Sequence, residues 1–293
     1  MTNVTRVGII AKSNLGQATP HLISVEAWLR ARGLEAIFET TTAALMPASR
    51  DRIVADKSTL VGQVDLAVVL GGDGTLLSVA DCVASSGSDI PILGVNFGSL
   101  GFLTEATLPE LYPSLEAALA GQTRVEERMM LRATTLRDGR TLPDRLALND
   151  VVVNKTARAR MTDLSVSVGD EFVTRVKADG LIVATPTGST AYNLAAGGPI
   201  VQPTIDALVL TPIAPHMLTN RPIVIPSTSL VRVKPQMNER DELYVTFDGQ
   251  TGYELRAGDE VQIRCADRRV RILRPSSRSY FDVLRQKLKW NER

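Results

Sequence analysis

The sequence predicts an α/β N-terminal domain with a parallel sheet, a β-rich C-terminal domain, and a C-terminal helix that returns to the first domain. Two patterns give the two domains. Over residues 1–123, short apolar runs alternate with stretches of helical period, as strands joined by covering helices do. Over residues 124–275 the apolar runs become short and frequent, with turn residues between them. Residues 276–293 carry a last helical pattern. Its return to the first domain rests on a resemblance given below.

The elements follow in order. Residues 6–11 (RVGIIA) read as a buried strand. From His21 to Arg32 the apolar residues Leu22, Ile23, Val25, Trp28 and Leu29 fall near helical spacing, and Gly33 stops the helix. Residues 35–39 (EAIFE) give a second strand. Residues 65–70 (DLAVVL) form a continuous apolar run up to Gly71, which suits a strand covered on both faces. Thr75 to Val83 reads as the next helix and residues 91–96 (PILGVN) as another strand. Then come VVVN (151–154), LSVSV (164–168), GLIVAT (180–185), ALVLT (207–211), PIVIP (222–226), LVRVKP (230–235), ELYVTF (242–247) and VQIRC (261–265). Asp138-Gly139, Gly169-Asp170, Asp248-Gly249 and Gly258-Asp259 punctuate them. A short helix is expected after Ser189. Phe281, Leu284 and Leu288 give residues 279–290 an amphipathic helix.

With 44% apolar and 22% charged residues, the chain has material for a large core, and disordered and fibrous classes are excluded. The net charge of +1 speaks against wholesale nucleic-acid binding. It is uneven, however: residues 268–293 hold nine Lys/Arg against two acids. The ordinary reading of such a run is a solvated end; a nucleic-acid arm is the alternative. Cys82 and Cys265 lie far apart without metal-type spacing. After Arg6 the opening has an apolar run of only four residues, too short for a signal-peptide core, and no run approaches a membrane span. A soluble cytoplasmic protein is expected, with neither nucleic acid nor membrane as partner.

Three motifs carry chemistry. Gly71-Gly72-Asp73-Gly74-Thr75 stands between an apolar strand and a helix. Its glycines are expected to permit positive φ and close approach of a ligand, and the helix start favours phosphate. A carboxylate there repels phosphate, so Asp73 needs its own purpose: a base for a hydroxyl proton, or a ligand for a divalent cation. The bland alternative is a tight turn with Asp73 as helix cap. The dinucleotide fingerprint fails at Leu77, and the Gly-Lys-Ser/Thr of a P-loop is absent. The second motif runs from Asp179 through Thr185-Pro186-Thr187-Gly188-Ser189-Thr190-Ala191-Tyr192 to Gly197-Gly198-Pro199-Ile200. It offers hydroxyls and N–H donors in a small space, or else simply caps a helix. The third, Asn149-Asp150, places two polar side chains beside a buried strand, where ribose hydroxyls would suit them or a turn would satisfy them. Asn96 to Phe102 ends another strand and could line the same crevice as the first motif. His21 and His216 stand in no zinc-type cluster.

Together these motifs resemble the NAD kinase family: the GGDGT loop at Gly71–Thr75, the Asn-acid pair at Asn149-Asp150, and the long glycine-rich stretch at Asp179–Tyr192. The ending, Tyr280-Phe281-Asp282 to Trp290, resembles its bacterial branch. GGDGT alone is shared with lipid kinases and phosphofructokinase relatives; the other two motifs make the resemblance specific. It implies ATP-dependent phosphorylation of the adenosine ribose 2′-hydroxyl of NAD. It also implies Mg²⁺ or another divalent cation and a homodimer or homotetramer.

It further implies roles. Asp73 would be the general base and, with Gly74, would touch NAD. Gly71, Gly72, Gly74 and Thr75 would form the phosphate loop. Asn149 and Asp150 would bind adenosine or its ribose. Thr187, Thr190, Ala191, Tyr192, Asn193, Leu194 and Ala195 would cradle NAD, and Asp179 would bond its amide or a ribose. Arg160, Lys177 and Gln250 stand where the family has ligand-contacting residues. No metal ligand is assigned. Asp150 departs from the commoner Glu and Asn193 from a frequent Ser. Two rivals remain from the residues alone: a lipid kinase sharing GGDGT, and a non-catalytic dinucleotide-binding regulator.

Overall fold

The computed structural model describes residues 4–98, 100–156, 161–217, 219–237, 242–274 and 278–290. The chain forms two compact units, Met1–Glu127 with Val270–Arg293, and Arg128–Arg269.

The first unit is built on a mostly parallel sheet. Strands β1 (Arg6–Ala11), β2 (Glu35–Glu39), β3 (Ile53–Ala55), β4 (Leu66–Leu70) and β5 (Ile92–Asn96) lie in the order β3-β2-β1-β4-β5. Each of these pairings is parallel. β4 and β5 are buried along their whole length, as expected of strands covered on both faces. Helix Thr19–Arg30 starts with Pro20, whose missing N–H costs nothing in a first turn, and packs Leu22, Val25 and Leu29 into the core. Helix Asp73–Ser86 leaves the end of β4 and stops at Gly87, which adopts φ 74°. Its residues Leu76, Leu77, Val79, Ala80 and Val83 are buried.

Compactness divides the chain at 127/128 and 269/270, a few residues from the boundaries expected at 123/124 and 275/276. Strand Val270–Arg274 pairs parallel with β5, and Arg124–Arg128 lies beside it as the next strand of the same sheet. Their composition resembles that of the β-rich region, so only their pairing separates them from it. Helix Tyr280–Leu288 also belongs to the first unit. Ser279 caps it, accepting from Asp282 N, while Asp282 accepts from Ser279; Val283 and Leu284 are its buried face.

Arg274 anchors the returning strand. It is buried and donates to Glu105 (Nε 2.8 Å) and to Glu126 (Nη1 2.9 Å), both also buried. Three other arginines of the basic terminal stretch are also paired within the first unit: Arg271 with Asp89, Arg278 with Glu110, Arg285 with Asp282.

The second unit is a sandwich of two antiparallel sheets. One follows the order Arg145–Ala147, Leu131–Arg137, Glu260–Cys265, Val231–Gln236, Thr162–Val168, Glu171–Ala178. The other follows Ile223–Pro226, Ala207–Ile213, Gly180–Ala184, Asp150–Lys155, Leu243–Phe247, Thr251–Leu255. Alternation decides the facing. Val151, Val153, Leu181 and Val183 join the inter-sheet core, while Val152, Ile182, Ala184 and Val209 turn to the opposite face, under Val201. That second apolar face explains why these strands read as unbroken hydrophobic runs. Cys82 and Cys265 are free and half-buried, and burial pushes both thiols up.

Replacing Arg274 by Met removes the buried cation that Glu105 and Glu126 share. The expected loss is about 3–5 kcal/mol of stability, read by urea denaturation. A loss below about 1 kcal/mol would show that the network does not hold the returning strand in the sheet.

Candidate active site

In the first unit, Asp73 opens its helix but does not cap it: Gly72 is the N-cap, and no side-chain cap bond is made. The carboxylate instead turns to the loop beyond β5. Oδ1 accepts from Leu103 N (3.1 Å), Thr104 N (2.9 Å) and Thr104 Oγ1 (2.9 Å); Oδ2 accepts from Phe102 N (2.8 Å). Asn96 at the end of β5 extends this chain, donating to Thr104 Oγ1 at 2.9 Å and accepting from Gly98 N at 2.6 Å. Gly101 is required by this packing, since a Cβ there would lie 2.0 Å from Asp73 Oδ1.

The loop glycines work differently from the expectation. None of Gly71, Gly72 and Gly74 has a positive φ, and Gly72 is extended at φ −108°. Gly71 is needed for space, because a Cβ would stand 2.7 Å from Thr75 Oγ1. At Gly72 and Gly74 a Cβ would meet nothing within 4 Å. The chain's own packing therefore demands glycine at only one of the three. Gly71, Gly72 and Asp73 line a cleft of about 430 Å³ together with Lys12, Asn96 and Lys287.

In the second unit, Asn149-Asp150 leads into strand Asp150–Lys155. Here one side chain organises the backbone: Asp248 accepts from Leu148 N (2.8 Å), Asn149 N (2.7 Å) and Asp150 N (3.1 Å). Its own N–H donates to Asp150 O at 3.0 Å. Asp248 adopts φ 52°, a left-handed conformation that aspartate tolerates better than most residues. The Thr185–Thr190 turn closes on the same segment. Thr185 N donates to Asn149 O (2.8 Å), Thr185 Oγ1 to Leu148 O (2.6 Å), and Gly188 N to Thr185 Oγ1 (3.0 Å). A Cβ on Gly188 would sit 2.0 Å from Asn149 O. The Asn-Asp and Thr/Gly motifs are thus one interlocked structure. Asp150 is only 4% exposed, and burial, then the charge of Asp248, push its carboxyl up to about 7.

The remaining expected residues divide. Thr187 is buried with Oγ1 accepting from Arg128 at 3.3 Å, and Thr190 Oγ1 donates to Thr187 O. Ala191 and Leu194 are partly buried; Tyr192 and Ala195 are exposed. Asp179 is ion-paired with Lys155 at 3.1 Å. Lys177 and Gln250 are exposed. Arg160 lies outside the described residues. Asn193 is fully buried, donates to Ser189 O and Pro199 O, and accepts from Thr211 Oγ1 at 2.6 Å. Its amide ties the helix Tyr192–Ala195 to strand Ala207–Ile213 through Thr211.

Sequence reasoning missed Lys12, Lys287 and Asp248. Asp248 had a signal, an Asp-Gly pair, but it reads only as a turn between strands. Lys12 had a weaker one, its position immediately after the first strand. Among the described residues no group of three or more His, Cys, Asp or Glu could hold a metal ion.

Residues 7–123 match the sequence pattern of the ATP-NAD kinase N-terminal domain, and residues 148–275 that of the ATP-NAD kinase C-terminal domain. The NAD kinase of Syntrophotalea carbinolica is 50% identical over 288 residues, covering 98% of this chain and 99% of that protein. The NAD kinase of Solibacter usitatus is 43% identical over 293 residues, the whole of both chains. Among solved structures, yeast NADH kinase complexed with NADH gives a TM-score of 0.90 at 25% identity, covering 100% of this chain and 90% of that one. An NAD kinase from Archaeoglobus fulgidus in complex with ATP gives 0.76 at 27% identity, covering 96% and 99%. None of these relatives supports a lipid kinase or a non-catalytic regulator. With GGDGT, the Asn-Asp pair and the long glycine-rich motif all placed on the fold of those kinases, the chain belongs to the NAD kinase family of phosphotransferases.

Proposed function

We propose that this enzyme transfers the γ-phosphoryl group of ATP to the 2′-hydroxyl of the adenosine ribose of NAD, with Asp73 as general base. The NADH bound by the yeast relative and the ATP bound by the archaeal one support that pair of substrates. The observation that carries the role of Asp73 is the asymmetry of its carboxylate. Three donors engage Oδ1, whereas Oδ2 accepts a single bond, from Phe102 N, among the described residues. Oδ2 keeps a lone pair in a fixed direction, and Asp73 lines a cleft with Gly71 and Gly72. As the ribose oxygen bonds to phosphorus and the bridging oxygen leaves with ADP, the hydroxyl proton passes to that lone pair. Positioned bases of this kind contribute about 10²–10⁴-fold.

Gly72 and Gly74 supply room for the phosphates, since a side chain at either would project into open space. Asn149 and Asp150, held by Asp248, bind the adenosine ribose. Asp179, Thr187, Thr190, Ala191 and Tyr192 contribute to the dinucleotide site. A divalent cation, when bound, would neutralise phosphate charge. No side chain of this chain is assigned to it; the phosphates and water would make up its shell, which suits Mg²⁺. Exposed Phe172, Val173, Met217 and Val224 on the second unit support a homo-oligomer. No helix among the described residues is long and apolar enough to cross a membrane, which is consistent with a cytoplasmic enzyme.

Asp73→Asn keeps the shape and removes the base. Its kcat for NADP formation is expected to fall about 10²–10⁴-fold with the KM for NAD nearly kept. A kcat within threefold of wild type would remove Asp73 from the chemistry.

Asp150 makes stability pH-dependent. An ordinary aspartate ionises near 3.8, whereas folding raises this one to about 7. Between those values the folded protein holds a proton that the unfolded chain has lost, so Asp150 costs stability as pH rises through that window. The slope is about 1.4 kcal/mol per pH unit and flattens above pH 7. Asp150→Asn should therefore gain stability relative to wild type between pH 5 and 7 and run parallel above. Denaturation curves with a constant difference across the window would contradict this.

A further inference from the structure

A carboxylate in a phosphate loop creates an electrostatic problem. A nucleoside triphosphate is polyanionic, Asp73 adds a negative charge, and GGDGT lacks the lysine with which a P-loop answers. Two cations line the cleft beside Asp73, Lys12 and Lys287. They come from opposite ends of the chain, and neither forms an ion pair among the described residues.

Lys12 follows β1 directly. Its N–H donates to Leu70 O at 2.9 Å, the last residue of β4 before the glycine loop. Its Cβ lies 3.2 Å from the point where a Cβ on Gly71 would stand. The stem is thus seated against the loop backbone, while the exposed head is free to swing on its own carbons. Lys287 is placed by the terminal helix, whose buried Val283 and Leu284 fix that helix to the first unit. Its Nζ lies 5.8 Å from the centre of the Phe102 ring. Phe102 is the residue whose N–H holds Asp73 Oδ2. Its neighbours differ: Arg285 is spent on Asp282. Where Arg271, Arg274, Arg278 and Arg285 are ion-paired, Lys287 lines the cleft without an ion pair among the described residues.

We infer that Lys12 and Lys287 together replace the missing loop lysine and bind the phosphate chain of the ATP donor. The inference rests on the kinase reading above and deepens it. Two point charges on separate elements grip a flexible polyanion from two sides, where a single loop lysine would grip it from one. They also offset the Asp73 charge, which lets base and polyanion occupy one cleft.

The test is steady-state NADP formation by Lys12→Met, Lys287→Met and the double variant, with Lys234→Met as a control for net charge on the second unit. Each cleft variant should raise the KM for ATP about tenfold and the double variant about a hundredfold, with the KM for NAD within twofold. Inorganic tripolyphosphate should compete with ATP in wild type and lose that competition in the double variant. Lys12→Arg and Lys287→Arg should recover most of the ATP affinity. Should Lys287→Met fail to fold by thermal denaturation, Lys12→Met and the tripolyphosphate measurement decide alone, since Lys12 is exposed. An ATP KM within twofold of wild type in the double variant, or in Lys12→Met if that stands alone, would overturn the inference. An equal rise in the KM for NAD would do so too. Wild type without NADP formation would instead overturn the kinase reading.

Discussion

The first unit depends on one carboxylate receiving more hydrogen bonds than its position would suggest. A helix-opening aspartate ordinarily serves its own helix. Here Phe102, Leu103 and Thr104 draw Asp73 toward the loop beyond β5, and Asn96 steadies Thr104 behind it. A free aspartate would rotate about two bonds. This one is held in a single orientation with one oxygen saturated and the other partly open, so proton acceptance has a direction. Each charge-assisted bond of this type contributes about 1.5–3 kcal/mol in favourable surroundings, enough to suppress other rotamers.

The second unit repeats the device with Asp248. Three N–H groups at the head of a strand would otherwise lack partners near the sheet end, and one carboxylate collects them. The cost appears next door, where buried Asp150 is discouraged from ionising. A carboxyl kept protonated near neutrality can donate to a sugar oxygen, which an ionised one cannot. Burial first, and the charge of Asp248 second, set the hydrogen-bonding character of Asp150.

Much of this was legible in the residues. DLAVVL followed by GGDGT places a loop at the carboxyl end of a buried strand, and that is where it lies. The runs from VVVN to VQIRC each became a strand. Failures came where the answer is not local. The partners of Asp73 are about thirty positions away, and nothing in LeuThr-type composition marks Phe102 to Thr104 as donors. Strand Val270–Arg274 looks like its β-rich neighbours, yet it returns to a parallel sheet through Arg274, Glu105 and Glu126. The loop glycines were expected to adopt positive φ, but none of Gly71, Gly72 and Gly74 does, and packing demands space only at Gly71. Asn193 sits in a motif of exposed chemistry, and only the fold reveals that its amide faces inward.

The central claim is that Asp73 Oδ2 receives the ribose proton. The most direct measurement is a crystal structure with NAD and a non-hydrolysable ATP analogue bound. The account predicts the ribose 2′-oxygen about 2.6–3.2 Å from Oδ2, with Oδ1 still on Leu103 and Thr104. A 2′-oxygen well beyond hydrogen-bond reach of either carboxylate oxygen, with another side chain in contact with it, would contradict the account.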